Sequence, residues 1–390
     1  MKDVLDDIDR WRADGRRIAV ARVVGTEGSG PREAGATMAV NDAGEVAGSV
    51  SGGCVEGAVV TEALSVLDGT RERGVITFGY SDDEAFAVGL TCGGTIHLFV
   101  EPLDHSVAVA SSGFAAMVGK AAVSAGEHAS ASIYEELRDL LRAEEPVALA
   151  TVVAGPHTGA KLLVPPAGEP RGGLGDPDLD RVVARDARGQ LEVGRTDTRH
   201  YGPHGEAREQ AVEVFIESFA PPPRMIIFGA VDFTAALARA SKLLGYRVTV
   251  CDARAVFATP QRFPMADEVV NDWPDRHLAK VGDELGSRDA VCVLTHDHKF
   301  DVPAITAALG TAVGYVGAMG SRRTHADRVR RLRENGVDDA ELNRVMAPIG
   351  LDLGARTPEE TAVSICAEII ALRTGRRARS LRDADGPIHA

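Results

Sequence analysis

The stretch RMIIFGAVDFTAALARASKLLGYRVTVCD, Arg224 to Asp252, decides the fold of the second half of this chain. RMIIFGA (224–230) is a wholly apolar strand running into a glycine turn. FTAALARASKLLG (233–245) repeats apolar residues at helical spacing and ends in glycine. YRVTVCD (246–252) is a second strand. Strand, glycine turn, helix and a second strand closed by an acidic residue form the pattern of a dinucleotide-binding unit. Asp252 follows Gly229 at about the 20-residue spacing expected of a partner for a ribose hydroxyl. The turn itself departs from the pattern. In GAVDFT, Val231 holds the second glycine position and Thr234 the third. A valine denies pyrophosphate its close approach to the backbone, and Asp232 at the helix start repels it. The expectation is a Rossmann fold with an altered phosphate site.

Working outward, DEVVN (267–271), DAVCVLTHD (289–297) and AVGYVGAMG (312–320) are further strands. DVPAITAAL (301–309) and HADRVRRLRENG (325–336) are helices between or after them. Strands that are apolar without alternation, separated by helices, predict a parallel sheet covered on both faces. TPEETAVSICAEIIALRTG (357–375) closes the chain's pattern with a Thr-x-x-Glu capping box and a terminal glycine. APPPR (220–224) is a stiff boundary before all of this.

The first half reads differently. Residues 3–13 form a short amphipathic helix. RIAVARVVG (17–25) is a buried strand, and TEGSGPRE (26–33) is a loop. GATMAVNDAGEVAGSV (35–50) gives two strands about a turn at Asn41 to Gly44. A helix follows through about Leu67, then strands at GVITFGY (74–80) and GTIHLFVEPL (94–103). An echo comes next. PVALATVVAG (146–155) parallels RIAVARVVG, GAKLLVPPAGEPRGGLGDPDLD (159–180) parallels GATMAVNDAGEVAGSVSGGCVE (35–56) without a gap, and VEVFIESF (212–219) parallels IHLFVEPL (96–103). The fold class expected is α/β: a mixed N-terminal α/β module with a degenerate repeat, then a Rossmann-like doubly wound parallel sheet. The domains expected are a module at 1–105, a helical connector at 106–145, the repeat at 146–220, and the Rossmann-like domain with C-terminal helices at 224–380.

The copies differ where chemistry is expected. The second drops the loop around Gly30, Pro31 and Arg32, and Asp178 stands in the place of Cys54. What the second copy lacks, the fold does not require. Cys54 in GSVSGGCVEGAV lies among glycines at the mouth of a helix, where the macrodipole and free N–H groups stabilise thiolate. Such a thiol suits a soft metal, an anionic cofactor or a nucleophilic role, against the plain alternative of an idle helix-capping cysteine. Cys92 in GLTCGG is the other cysteine of this module in a glycine-rich loop. Arg32 on the GSGPRE loop offers a bidentate fork for phosphate. Cys251, Cys292 and Cys366 lie in apolar runs and read as small core residues. With five cysteines in 390 residues and no C-x-x-C pair, neither a disulfide framework nor a structural zinc site is indicated. LTHDHKFD (294–301) ends a strand with His296, Asp297, His298 and Asp301. Metal ligation or proton transfer is one reading there. A capping loop with Asp301 as N-cap is the other.

The net charge of −14 argues against a nucleic-acid partner or an anionic membrane surface. No run is long and apolar enough to span a bilayer and no leader is evident, so a soluble cytoplasmic protein is expected.

Seven ordered motifs, GSGPREAGATM, GSVSGGCVEGAV, LTCGG, VTVCDARAVFATPQRFPMAD, LTHDHKFDVPAI, GYVGAMGSRR and APIGLDLGARTPEETAVSICAEI, resemble the XdhC/CoxI family. These are accessory proteins of molybdenum hydroxylases such as xanthine dehydrogenase and carbon monoxide dehydrogenase. The resemblance spans residues 17 to about 376 and departs at GAVD, where the family usually has a glycine–histidine turn. It implies a homodimeric chaperone that holds molybdenum cofactor (molybdopterin) and delivers it to an apo-hydroxylase client. It implies cofactor contacts at Ser29, Arg32, Gly52, Gly53, Cys54, Glu56, Cys92, Gly93 and Gly94, with Cys54 and Cys92 as molybdenum ligands. A nucleotide or second-domain site would comprise Gly229, Asp252, His296, Asp297 and His298. Two other readings stay open: an NAD-dependent oxidoreductase using the Rossmann-like half, and a thiol redox protein using Cys54 and Cys92.

Overall fold

The computed structural model describes residues 1–28, 32–79, 94–103, 133–207 and 209–383. The chain divides into two compact units, Met1–Pro221 and a second beginning at Pro222.

The first unit holds two five-stranded antiparallel sheets of one design. In its first half, helix α1 (Leu5–Ala13) precedes β1 (Ile18–Glu27), β2 (Thr37–Asn41) and β3 (Val46–Gly48). Helix α2 (Glu56–Leu67), β4 (Gly74–Phe78) and β5 (Thr95–Pro102) follow, with strand order β3-β2-β1-β5-β4. The second half runs α3 (Ile133–Arg142), β6 (Val147–Ala154), β7 (Lys161–Val164), β8 (Arg171–Gly173), α4 (Pro177–Val193), β9 (Asp197–Tyr201) and β10 (Val212–Phe219). Its order, β8-β7-β6-β10-β9, is the same. The likeness reaches single residues. Gly48 and Gly172 both lie in the third strand of their sheet with positive φ, +76° and +90°. A Cβ on either would strike the backbone oxygen of the paired strand, Thr37 or Lys161, at 2.3 Å. Val4, just before α1, and Ile133, which opens α3, pack over these two glycines. Helix α3 therefore takes the place in the second half that the first helix takes in the first.

Each sheet buries both faces, which is why β1 is apolar at nearly every position. Ala19, Ala21 and Val23 face α2 together with Val59 and Ala63. Ile18 and Val20 join a cluster with Val147, Leu149 and Leu163 of the second half. Val24, Phe99, Val153 and Phe215 form a further seam between the sheets. Charges lie in the same seam. Buried Arg22 binds Glu101 through Nη2 and Glu217 through Nη1, the latter at 2.7 Å, and Lys161 Nζ reaches Glu101 at 2.5 Å.

The second unit is a six-stranded, wholly parallel sheet. Its strands are β11 (Arg224–Phe228), β12 (Arg247–Cys251), β13 (Glu268–Val270), β14 (Ala290–Val293), β15 (Tyr315–Ala318) and β16 (Val345–Met346). The order β13-β12-β11-β14-β15-β16 is that of dinucleotide-binding folds, with the topological switch between β11 and β14. Helices α5 (Asp232–Leu243), α6 (Pro274–Val281), α7 (His298–Leu309), α8 (Arg322–Glu334), α9 (Asp339–Leu342) and α10 (Pro358–Thr374) complete it. The Thr357–Glu360 capping box starts α10, and Gly375 ends it at φ +66°. Cys251, Cys292 and Cys366 are core residues, and burial pushes the Cys251 thiol up to about 12.

Candidate functional site

Strand register brings the expected segments of the first half to one end of its sheet. Glu27 at the end of β1 faces Thr95 at the start of β5, so Gly94 adjoins the exit of β1. Arg22 faces Thr37 and Met38 faces Gly48, so the exit of β3 lies at that end too. The β1–β2 loop bearing Arg32, the β3–α2 loop bearing Gly52, Gly53 and Cys54, and Gly94 therefore share it. Arg32, Gly52 and Gly53 are exposed, Cys54 is half-buried and Gly94 is buried. Ser29, Cys92 and Gly93 lie outside the described residues.

Glu56 organises the cysteine loop. Its carboxylate accepts from Ser49 Oγ at 2.7 Å and from the backbone N–H groups of Ser51, Gly53 and Val55 at 3.0, 2.9 and 3.2 Å. It also accepts from Ser51 Oγ. Ser49 Oγ in turn accepts from Gly52 N–H, and Ser51 Oγ from the N–H groups of Cys54 and Val55. Every amide from Ser51 to Val55 thus has a side-chain acceptor. Burial alone would raise the Glu56 carboxyl, but the hydrogen bonds from Ser51, Ser49 and the loop amides outweigh it and hold the group down at about 2. The sequence expectation of free N–H groups around Cys54 is not met, because the chain's own carboxylate occupies them. Glu56 braces the loop. Gly52 and Gly53 make the wrap possible with φ of +75° and +117°, and open space lies where a Cβ would be. The sheet end therefore offers a half-exposed thiol on a fixed loop and an exposed guanidinium on the neighbouring one.

The corresponding end of the second half is capped in the ordinary way. Asp176 is the N-cap of α4, accepting from the N–H groups of Asp178 and Leu179 at 2.9 and 3.0 Å. Asp180, aligned with Glu56, accepts one loop amide, that of Leu174, at 2.7 Å.

In the second unit, Gly229 sits at the switch point with φ +108°, and a Cβ there would meet Thr295 Cγ2 at 2.8 Å. Asp252 closes β12 and is 4% exposed. Beyond β14, α7 begins earlier than expected, and its N-cap is Asp297, accepting from Lys299 N–H. This corrects the reading of Asp301 as N-cap. Asp301 is buried, bound by Thr295 Oγ1 and by Arg328 Nη2, the latter at 2.7 Å. His296 and His298 are exposed. Among the described residues no three His, Cys, Asp or Glu side chains gather as a metal site, so the strand-end group does not assemble one.

The sequence reading missed the Arg22 cluster, the bracing role of Glu56 and the hold of Arg254 on Asp252. The first had a signal, since charges at Arg22, Glu101 and Glu217 interrupt strands that are otherwise buried.

Two family models match in order along the chain. Residues 11–79 and 140–202 match the model described as the XdhC and CoxI family, and residues 225–369 match the XdhC Rossmann domain. The chain belongs to the XdhC and CoxI family. Among similar members of known name, a Bacillus subtilis protein named as a probable xanthine dehydrogenase subunit is 28% identical over 368 residues, 94% of this chain and 96% of its own. An Escherichia coli protein named molybdenum cofactor insertion chaperone PaoD is 25% identical over 359 residues, 92% of this chain and 84% of its own. A Bacillus halodurans crystal structure described as a xanthine dehydrogenase shares the fold, with a TM-score of 0.64 at 22% identity over 98% of both chains. No helix among the described residues is long and apolar enough to cross a membrane.

Proposed function

We propose that this XdhC/CoxI protein binds molybdenum cofactor at the Cys54 end of its first sheet and delivers it to an apo molybdenum hydroxylase of the xanthine dehydrogenase or carbon monoxide dehydrogenase type. One observation carries the reading. The Arg32 loop, the Cys54 loop and the start of β5 share one sheet end, while the matching end of the second half has an ordinary capped helix and no thiol. The similarity to a protein named molybdenum cofactor insertion chaperone supports it.

The chemistry of the donors fits the cargo. A thiolate is a soft ligand suited to molybdenum, and a guanidinium fork suits a phosphate tail. The loop amides, already bound to Glu56 and Ser51, take no part in holding phosphate. Cys54 is left open to a ligand that must arrive and depart. Cys92 and Gly93 complete the site on this reading, and the protein works as a cytoplasmic homodimer.

The test is cofactor retention. Purified protein is incubated with released cofactor and desalted, and its molybdenum and pterin contents are measured. Retention should be lost in Cys54→Ala and weakened in Arg32→Ala, with circular dichroism unchanged. Equal stoichiometry in wild type and Cys54→Ala would remove Cys54 from the site, and no retention by folded wild type would remove the carrier function.

A further inference from the structure

In a dinucleotide-binding sheet the acidic residue closing the second strand is the acceptor for ribose hydroxyls. Here that residue is Asp252, and its acceptor positions are filled by the protein. Oδ1 accepts from the backbone N–H and the Nε of Arg254, each at 2.9 Å. Oδ2 accepts from Ala230 N–H at 2.8 Å and from Arg254 Nη2 at 2.7 Å. A carboxylate has about four lone-pair sites, and all are taken. A ribose diol finds no acceptor on Asp252 unless Arg254 leaves, so the NAD reading of this residue loses its basis.

What the carboxylate withdraws, its neighbours replace with positive charge. The Arg254 side chain is pinned by Asp252 yet 43% exposed, and its Nη1 makes no hydrogen bond among the described residues. Its Cζ lies 4.6 Å from the ring centroid of Phe257, and the Cζ of Arg262 lies 5.4 Å from the same centroid. Phe257 stays 40% exposed between them. Arg262 is exposed and has no carboxylate partner among the described residues. Asp297 also faces Arg254, but Lys299 Nζ at 3.2 Å offsets its charge.

We propose that the end of β12 binds a nucleotide bearing a phosphate on its ribose, of the 2′-phosphorylated dinucleotide class, and disfavours one with a free ribose diol. Arg254 Nη1 and Arg262 hold the phosphate, and the base stacks on the exposed guanidinium–phenyl group. Asp232 at the start of α5 opposes the pyrophosphate, so the two arginines supply the larger share of the attraction. The inference rests on the second unit alone and is independent of cofactor delivery.

Calorimetric titration of the full-length protein with NADPH, NADH and 2′,5′-ADP tests it. NADPH should bind at least about tenfold more tightly than NADH. Free 2′,5′-ADP should compete with NADPH, and 5′-AMP should not. Arg262→Ala, a surface change, should weaken NADPH and leave NADH unaltered. Arg254→Ala should weaken NADPH and tighten NADH, because it releases the Asp252 acceptors. Equal affinity for NADPH and NADH, effective competition by 5′-AMP, or no NADPH binding by the folded wild type overturns the proposal.

Discussion

Glu56 supplies from within the chain the anion that a glycine-rich helix mouth ordinarily waits for. The carboxylate is worth having only while ionised. Its folded pKa of about 2 lies below the ordinary 4.5, so its stabilisation is fully present above pH 4.5 and fades as pH falls toward 2. Glu56→Ala should lower stability by about 1–2 kcal/mol above pH 5, since the released amides of this exposed loop regain water. The difference from wild type should shrink in acid. Urea denaturation at pH 7 and near pH 3 measures both, and an equal deficit at the two values would contradict the account. Cofactor retention should fall in the same variant although Glu56 makes no contact with cargo, because Cys54 is then no longer held in place.

At the scale of elements, Gly48 and Gly172 show how one backbone requirement recurs across the repeat. Gly48→Ala places a methyl 2.3 Å from Thr37 O and 2.5 Å from Val4 Cγ1, in a left-handed conformation as well. Gly44, with φ +79°, has nothing within 4 Å and serves as control. Gly48→Ala should cost about 2–4 kcal/mol and Gly44→Ala about 1 kcal/mol, read from thermal or urea midpoints. A cost for Gly48→Ala no greater than for the control would remove the steric argument. Both glycines were visible in the sequence as aligned positions of the echo, but not the contact that demands them. Periodicity located most strands, since apolar runs with glycine or proline ends announce them. It missed β9, whose Asp197–Tyr201 segment is polar and pairs at a sheet edge through its backbone. It placed Cys54 and Arg32 at loops, and register then joined the loops. Hydrogen bonds such as those of Glu56 and Arg254 depend on side-chain direction, which spacing alone does not carry.

At the scale of the whole molecule, the seam between the two antiparallel sheets governs the first unit. Arg22, Lys161, Glu101 and Glu217 balance in charge, and each half contributes two members. Desolvation by burial works against every ion, and the neighbouring opposite charges hold the Glu101 carboxyl below its ordinary range. The apolar seam likewise draws on both halves, with Val24 and Phe99 against Val153 and Phe215. Arg22→Ala leaves two buried carboxylates with one lysine, and should cost about 3–5 kcal/mol in denaturant titration. A loss below about 1 kcal/mol would show the cluster to be wet and weak.

That shared seam also explains why a copy stripped of its thiol persists. The second half completes the hydrophobic interior of the first, so neither can be deleted as a spare. Duplication here made a lid that one half cannot do without, and the copy freed from ligand duty became its permanent counterpart. In hydrogen exchange, the amides of β1 and β6 should accordingly open together and last, as one cooperative block spanning both halves.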